Sequence, residues 1–279
     1  MTPNKKPLKR FIDAYLLKMS GEQHYALEIR TVQASAFKVL VEALKELLTD
    51  TCIDFDEDGM KIVSMDNLQI VLVHLKLEAS KFEHYVCNGK ITIGVNMLNF
   101  YKLIRTINSN DTLTLFIEKD DLNHLGIKIE NGDKNTKTMY KLNLLDLDNP
   151  KIMINPADFN YEIILQSGDF QKICRDMHNI ADAVEIKNIG NQLILSCKGD
   201  FCSQETVIVD TESNGGNKNN NEIVQGVFSL KYLVLFTKCT NLCSTVELFL
   251  KNDYPLLIRY MVASLGEVKL CLVPQTAQA

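Results

Sequence analysis

The sequence predicts an α+β protein made of two similar halves, each containing antiparallel strands and two amphipathic helices. Runs of alternating apolar and polar residues, which are typical of half-buried strands, recur through both halves. Two segments in each half instead carry apolar residues at helical spacing. The order of these segments in the first half is repeated in the second half, which indicates a duplicated domain.

The composition is that of a globular protein with room for two domains. The chain has 279 residues, of which 46% are hydrophobic and 23% charged. No apolar run approaches the ~20 residues that span a bilayer, and no signal-peptide apolar region follows the start. The eight cysteines lack paired zinc-ligand spacing, which favours reduced thiols of an intracellular protein over a disulfide or zinc site. A net charge of −5 argues against nucleic acid as a partner unless the cations are clustered.

Residues 1–24 stand apart as an N-terminal extension that we expect to be flexible. A group of lysines and an arginine at positions 5–10 is followed by apolar residues near helical spacing. These residues are Phe11, Ile12, Tyr15, Leu16 and Met19. A frayed, partly helical tail, a targeting signal and an auxiliary DNA contact all fit this pattern, and the sequence does not choose among them.

The first predicted domain covers residues 25–140 and opens with an alternating strand at 25–31. A helix is predicted at 34–48, because Phe37, Leu40 and Leu44 would share one of its faces. Asp58-Gly59 marks the turn between the next two strands. The remaining predicted strands are 52–55, 61–64, 69–75, 91–95, 112–118 and 126–130, and a second helix is predicted at 97–107.

The second predicted domain covers residues 157–274, and residues 275–279 form a tail. Strands are predicted at 161–166, 183–187, 192–197 and 245–250, with helices at 167–177 and 229–238. Three matches support the duplication. Phe37 corresponds to Phe170, Gly94-Val95 to Gly226-Val227, and Asp111-Thr112-Leu113 to Ser244-Thr245-Val246. A repeat this long is too large for a solenoid unit, so it indicates a duplicated domain.

The segment between the two domains, residues 141–156, reads KLNLLDLDNPKIMINP. Its alternating leucines predict an extended chain. The pairs Asn149-Pro150 and Asn155-Pro156 interrupt it, because a residue before proline is disfavoured in the helical region. We therefore expect a connector that carries exposed apolar side chains.

Each predicted helix carries two cations spaced three or seven residues apart, which places both on nearly one face. The eight cations are Lys38, Lys45, Lys102, Arg105, Lys172, Arg175, Lys231 and Lys238. Ordinary solvated helix faces would look like this. Rows of cations that bind duplex phosphates without reading sequence would look the same. No aromatic stacking platform accompanies these residues, which disfavours single-strand recognition.

The sequence lacks the usual signatures of catalysis. It has no G-x-x-x-x-G-K-[ST] loop, no G-x-G-x-x-G and no H-E-x-x-H. Cys174 and His178 lie one helical turn apart, although a core cysteine beside a surface histidine explains them more simply. Asp146 and Asp148 alternate along a predicted strand and would point to opposite faces, which is poor geometry for a shared metal. We expect no catalytic residue, metal or cofactor.

Long segments of the chain resemble the proliferating cell nuclear antigen family, the eukaryotic-type DNA sliding clamps. The resemblance covers about residues 25–274. The matching segments are LVEALKELLTDTCIDFDEDGMKIVSMDN (40–67), IGVNMLNFYKLIR (93–105), KLNLLDLD (141–148), SGDFQKICRDMHNIADAV (167–184), LKYLVLFTK (230–238) and YPLLIRYMVASLGEVKLCLVP (254–274).

The resemblance implies two clamp-fold domains per subunit and three subunits closed into a ring around duplex DNA, with the helices and their eight cations lining the hole. Sheet edges near 135–143 and 201–209 would join neighbouring subunits. The implied function is that of a non-catalytic processivity factor that docks DNA polymerase, the clamp loader and other replication and repair proteins. Location in the nucleus, or at a viral replication site, would follow. A subunit of a checkpoint hetero-trimer and a monomeric DNA-binding processivity factor are the alternatives.

The resemblance also implies a docking pocket beside the connector for short helical peptides with aromatic anchors. The implied positions are Met65, Gln69, Ile70, Leu72, Ile152, Ile154, Pro255, Val273 and Pro274. The chain departs from the family at Gln69, where a histidine is common, at Cys271, an aromatic position, and at Val273, a small one. Pro150 and the non-acidic tail are further departures, so the preferred peptide motif stays open.

Overall fold

The structure, a computed structural model, describes residues 24–148, Ile152, Phe159, 161–190, 192–209 and 224–275. The predicted extension before His24, most of the connector after Asp148 and the tail after Gln275 lie outside the described residues. The strands are β1 (Tyr25–Thr31), β2 (Asp50–Asp56), β3 (Gly59–Met65), β4 (Val71–Glu78), β5 (His84–Cys87), β6 (Ile91–Asn96), β7 (Asp111–Glu118), β8 (Asp121–Asn131), β9 (Thr136–Asn143), β10 (Tyr161–Gln166), β11 (Ala183–Ile189), β12 (Gln192–Lys198), β13 (Ser203–Val209), β14 (Val224–Ser229), β15 (Thr245–Leu250), β16 (Leu256–Val262) and β17 (Gly266–Leu272). The α-helices are α1 (Ala34–Leu44), α2 (Met97–Ile104), α3 (Ser167–His178) and α4 (Leu230–Phe236), and 3₁₀ turns occupy Ala79–Lys81 and Thr237–Leu242.

The strands form three antiparallel sheets, with the orders β5-β1-β7-β8-β9, β10-β15-β16-β17-β4-β3-β2-β6 and β13-β12-β11-β14. The duplication is visible in this order. Strands β10-β15-β16-β17 repeat β1-β7-β8-β9, and β13-β12-β11-β14 repeat β4-β3-β2-β6. The predicted α+β class and the two similar domains are confirmed.

The two domains meet within the eight-stranded sheet, where β17 of the second domain pairs with β4 of the first. Leu270 lies opposite Val73 and Val268 opposite Leu75. All four side chains are buried. Residues on alternate positions of these strands face the other side of the sheet. The junction therefore has a core face and an outer face that both run without interruption across the domain boundary.

The helices form one layer against the core face. α1 packs on α2 and, across the domain junction, on the 3₁₀ turn Thr237–Leu242, while α3 packs on α4. Phe37 of α1 is fully buried and meets the ring of Phe100 edge-on at 6.2 Å. Removing such an aromatic side chain typically costs about 3–5 kcal/mol. In the described part of the chain, none of the helices is long and apolar enough to cross a membrane.

Three helices are shorter than their periodicity predicts. α1 ends at Leu44 instead of residue 48, α2 at Ile104 instead of 107, and α4 at Phe236 instead of 238. The apolar pattern continues beyond the ends of α1 and α2 because Leu47, Leu48 and Ile107 are buried on non-helical backbone. Burial of a side chain therefore does not require helical backbone at these positions.

Two further sequence predictions need correction. The match of Gly94 to Gly226 is out of register by one residue, since a Cβ on Gly94 would meet Leu145 on the outer face whereas one on Gly226 would meet the ring of buried Phe228. The starts of α2 and α4, at Met97 and Leu230, agree instead with the spacing of Phe37 and Phe170. The predicted strand at 69–75 begins at Val71, because Gln69 adopts φ +57, outside the extended region.

Candidate nucleic-acid interface and docking pocket

Six of the eight predicted DNA-facing cations are exposed in the helix layer. Four of them lie within helices, namely Lys102 on α2, Lys172 and Arg175 on α3, and Lys231 on α4. The remaining two lie just beyond a helix or in the 3₁₀ turn. Those two are Arg105, the residue after α2, and Lys238. The shared layer brings cations from both domains onto one surface, which spacing along the chain alone could not establish.

The other two predicted cations, Lys38 and Lys45, are half-buried and engaged within the protein. Lys38 Nζ donates to the carbonyl of Ile107 at 2.6 Å. Lys45 pairs with Glu46 and lies 5.0 Å from the ring centre of Tyr101. Their charges contribute to the electrostatic potential of this surface. Because of these contacts, however, Lys38 and Lys45 are less free to bind a phosphate than the six exposed cations are.

A cavity of about 590 Å³ opens on the outer face of the eight-stranded sheet, opposite the helix layer. Six of the predicted docking residues line it, namely Met65, Gln69, Ile70, Leu72, Pro255 and Val273. Nine further lining residues were not predicted, and six of them are apolar, namely Val71, Phe159, Phe249, Tyr254, Leu257 and Cys271. Phe249 and Leu257 occupy outward positions of β15 and β16, a signal that the alternation of those strands already carried.

The other predicted docking residues lie outside this cavity. Ile152 lines a neighbouring cleft, and Pro274 is half-buried beside the cavity without lining it. Ile154 lies outside the described residues, so its predicted role stays a prediction. The connector is described as far as Asp148. β9 ends at Asn143, and beyond it Leu145 forms one isolated bridge with Gly94.

The turn between β3 and β4 presents Gln69 and Ile70 to the cavity, and Asp66 organises this turn. One carboxylate oxygen of Asp66 accepts from the backbone N–H of Ile70 at 2.7 Å and of Val71 at 2.8 Å. Gln69 N–H donates to the Asp66 carbonyl at 3.0 Å. These bonds stabilise the left-handed backbone of Gln69, which is unfavourable for a residue with a side chain.

Both halves of the chain match models of one family. The model for the N-terminal domain of proliferating cell nuclear antigen matches residues 26–151, and the model for its C-terminal domain matches residues 153–275. The chain belongs to the proliferating cell nuclear antigen family. A relative in Paramecium bursaria Chlorella virus 1, described as "Probable DNA polymerase sliding clamp 1", is 35% identical over 257 residues, which are 91% of this chain and 98% of the relative. The resemblance noted in the sequence is thereby confirmed.

The cavity of about 590 Å³ has a polar wall that the sequence did not predict. His74, Arg259 and Lys269 line it from β4, β16 and β17. Lys269 Nζ lies 2.6 Å from a carboxylate oxygen of Glu267, and Arg259 pairs with Glu247. Burial, followed by the nearby charge of Lys269, lowers the pKa of His74, which favours its neutral form. The cavity thus combines an apolar mouth with donors at one side.

A second cleft of about 420 Å³ adjoins the cavity and shares Met65 and Gln69 with it. Three aspartates, Asp50, Asp66 and Asp148, line this cleft. The connector approaches the sheet closely beside it, since Leu145 N–H donates to the carbonyl of Gly94 at 2.8 Å. A Cβ at Gly94 would lie 2.3 Å from the carbonyl oxygen of Leu145, so glycine permits this approach.

The pair Cys174 and His178 has poor geometry for nucleophilic chemistry. Cys174 is fully buried, and burial raises the pKa of its thiol to about 12. His178 is exposed. A protonated core thiol is not a nucleophile at neutral pH. Within the described ranges, no cluster of three or more His, Cys, Asp or Glu side chains could hold a metal ion.

Proposed function

We propose that this protein is a homotrimeric DNA sliding clamp, which encircles duplex DNA and holds a polymerase on its template without catalysing a reaction itself. Membership of the proliferating cell nuclear antigen family supports the clamp function. The observation that supports a ring is the junction between β17 and β4. The duplicated fold contains an equivalent of each of these two strands, and both equivalents lie at free edges of the subunit.

The repeat partners are β9 and β13. β9 occupies in the first domain the place of β17 in the second, and β13 occupies the place of β4. In the described structure each has a neighbour on one side only, β8 and β12 respectively. Two different edges of this kind join head to tail, which generates a closed ring when the rotation between copies closes. Pairing would also cover edges that otherwise invite aggregation.

The internal junction predicts the register of this pairing. Tyr140 takes the place of Leu270, since each lies opposite an equivalent isoleucine, Ile127 or Ile258. By the same reasoning through β12, Gln204 takes the place of Val73. Because Leu270 lies opposite Val73, Tyr140 of one copy would lie opposite Gln204 of the next.

This register keeps the two faces of the sheets consistent. Tyr140 and Thr206 are half-buried and face the core side of their strands, whereas Met139 and Glu205 are exposed on the outer side. In the proposed pairing Tyr140 lies opposite a core-side residue of the next copy, and Met139 lies opposite Glu205 on the outer side. A slip of one residue would place core-side residues against outer-side ones.

The helix layer would line the hole of the ring. Six exposed cations per subunit face that side, although the whole chain has a net charge of −5. Cations aligned along duplex DNA gain affinity by releasing counterions and carry no sequence information. Weak contacts are sufficient, because a closed ring remains on the DNA by topology. The acidic remainder of the surface limits binding to other parts of the nucleic acid.

The cavity on the outer face would dock the polymerase, the clamp loader and other replication and repair proteins. Its apolar mouth and connector border fit a short amphipathic helix inserted into a groove. The matched relative from a virus makes a viral replication site a reasonable location, and the nucleus is the other.

Primer extension on long circular DNA tests the proposal. With a loader and a polymerase from the same source, the protein is expected to lengthen the products of a single binding event. Light scattering at micromolar concentration should give the mass of three chains of 31.6 kDa. A monomer would contradict the homotrimer and favour a checkpoint-type hetero-trimer or a monomeric factor; loader-independent affinity for closed circular DNA would favour the monomeric factor.

A further inference from the structure

The mouth of the docking cavity exposes apolar side chains that the described residues do not cover. Leu68 is 66% exposed, Val273 47%, Tyr254 43% and Met65 42%. Val273, Tyr254 and Met65 line the cavity of about 590 Å³, and Leu68 belongs to the turn that supplies Gln69 and Ile70 to it. A contiguous apolar surface of this kind usually marks a binding site.

The N-terminal 23 residues of the chain contain a segment that suits this surface. Six of its apolar residues follow the pattern i, i+3, i+4, i+7, i+8 and i+11, which gives one continuous stripe on a helix, while Leu17 would lie on the opposite side. These residues are Leu8, Phe11, Ile12, Tyr15, Leu16 and Met19. The family model begins at residue 26, so this stripe lies outside the clamp domain and has no assigned place in its core.

Charge complementarity favours the same placement. Lys5, Lys6, Lys9 and Arg10 lie at the start of the apolar stripe. The cleft that adjoins the cavity is lined by three aspartates and shares Met65 and Gln69 with it. A segment whose stripe fills the cavity can therefore place its cations over the acidic cleft.

The length of the segment permits this contact. The stripe ends at Met19, and residues 20–23 join it to His24. Fully extended, that link spans about 17 Å, and a helix over residues 8–19 adds about 18 Å. His24 directly precedes β1, which lies three strand spacings, roughly 15 Å, from β9, and the connector that leaves β9 reaches Leu147 beside the acidic cleft. The cleft and the adjoining cavity are therefore within reach of the segment.

We propose that residues 8–19 bind as an amphipathic helix in the docking cavity of their own chain, with the cations at positions 5, 6, 9 and 10 over the acidic cleft. This inference rests on the proposed docking role of the cavity. A tethered ligand acts at an effective concentration of the order of millimolar. Even a segment that binds with a dissociation constant near 100 μM would weaken the apparent affinity of a partner peptide by about tenfold. Partners with weak motifs would be excluded until the segment is displaced.

Reaction of Cys271 with a thiol reagent tests this proposal in the full-length protein. Cys271 lines the cavity, whereas Cys87 is half-buried outside it and serves as the internal reference. The variant Phe11→Ala/Tyr15→Ala removes two residues of the stripe, and Asp13→Ala/Lys18→Ala changes the polar side as a matched control. We expect the first variant to react about tenfold faster at Cys271 relative to Cys87, and the control to behave as the wild type.

Equal Cys271 reactivity in all three proteins would overturn the proposal. Protection that disappears on dilution would also overturn it, because the occupant would then be a neighbouring copy. As a second measurement, a synthetic peptide of residues 1–23 should bind Phe11→Ala/Tyr15→Ala at least tenfold more tightly than the wild type. Primer extension separates the two claims: if the protein stimulates the polymerase but Cys271 is unprotected, the clamp function stands and this inference fails.

Discussion

Replacing Met139 by glutamate is expected to open the ring. Met139 lies on the exposed side of edge strand β9 and is 52% exposed in the single subunit. In the register inferred from the internal junction, it lies opposite Glu205 of the next copy. The substitution therefore removes apolar surface from the interface and places two carboxylates opposite each other.

The size of the effect follows from these two contributions. Complete burial of a methionine side chain is worth about 1.5–3 kcal/mol, so the exposed half contributes about 1 kcal/mol. Like charges at directly opposed strand positions cost up to about 1 kcal/mol. The sum of about 2 kcal/mol raises the dissociation constant of each interface roughly 30-fold, and a ring of three contains the change three times.

Analytical ultracentrifugation over a concentration series measures this effect, and a charge exchange provides the control. Met139→Lys loses the same apolar contact but gains attraction to Glu205, so its trimer should persist to much lower concentration than that of Met139→Glu. Adding Glu205→Lys to Met139→Glu should restore the trimer. If the Glu and Lys variants dissociate alike, or if Glu205→Lys restores nothing, the register is wrong and the internal junction is no guide to the interface.

Three further predictions concern the other surfaces. The double variant Lys102→Glu/Arg105→Glu should shorten primer-extension products and weaken retention of the protein on DNA most at high salt, without changing the mass of the trimer. The control Lys90→Glu, which lies outside the helix layer, should change neither product length nor retention. Loss of the trimer in the double variant would mean that the cationic face is misplaced. Asp66→Ala should lower the free energy of unfolding by about 2–4 kcal/mol, because two backbone N–H groups lose a charged acceptor. Asp66→Asn keeps an acceptor oxygen and should lose less stability. Equal urea midpoints for the two variants would contradict this prediction. His74 has a folded-state pKa below the ordinary 6.5, so the unfolded chain binds its proton more readily and the free energy of unfolding should fall as pH drops below about 6.5. In denaturation experiments between pH 5 and 8, the stability of His74→Gln should fall less at low pH than that of the wild type. Identical pH profiles for the two proteins would refute this prediction.

Much of the fold could be predicted because it depends on local patterns. Alternation identifies β1, β10 and β15 with their observed bounds, and the apolar stripes identify all four helices. These signals survive because a strand or helix at the edge of a core must present one apolar face. The long matching segments add the family, and with it the duplicated domain. The exposed cations of α2 and α3 could likewise be read from the spacing of Lys102 and Lys172.

The same patterns fail where long-range contacts decide the outcome. Leu48 and Ile107 are buried on non-helical backbone, so apolar periodicity overestimated the lengths of α1 and α2. Lys38 is drawn out of the cationic surface by the carbonyl of Ile107, a partner 69 residues away. Gly94 faces the connector while Gly226 faces the core, although their sequence contexts are alike.

The sequence by itself determined the two similar domains, the type of each helix and strand that it predicted, the family and six of the residues that line the cavity of about 590 Å³. The tertiary structure decided the polar wall of His74, Arg259 and Lys269, because three strands from both domains must pair before these side chains meet. It also decided the junction of β17 with β4, whose register depends on the alignment of whole sheets. Local sequence sets which face a side chain occupies, whereas only the closed sheet sets which residues lie opposite it.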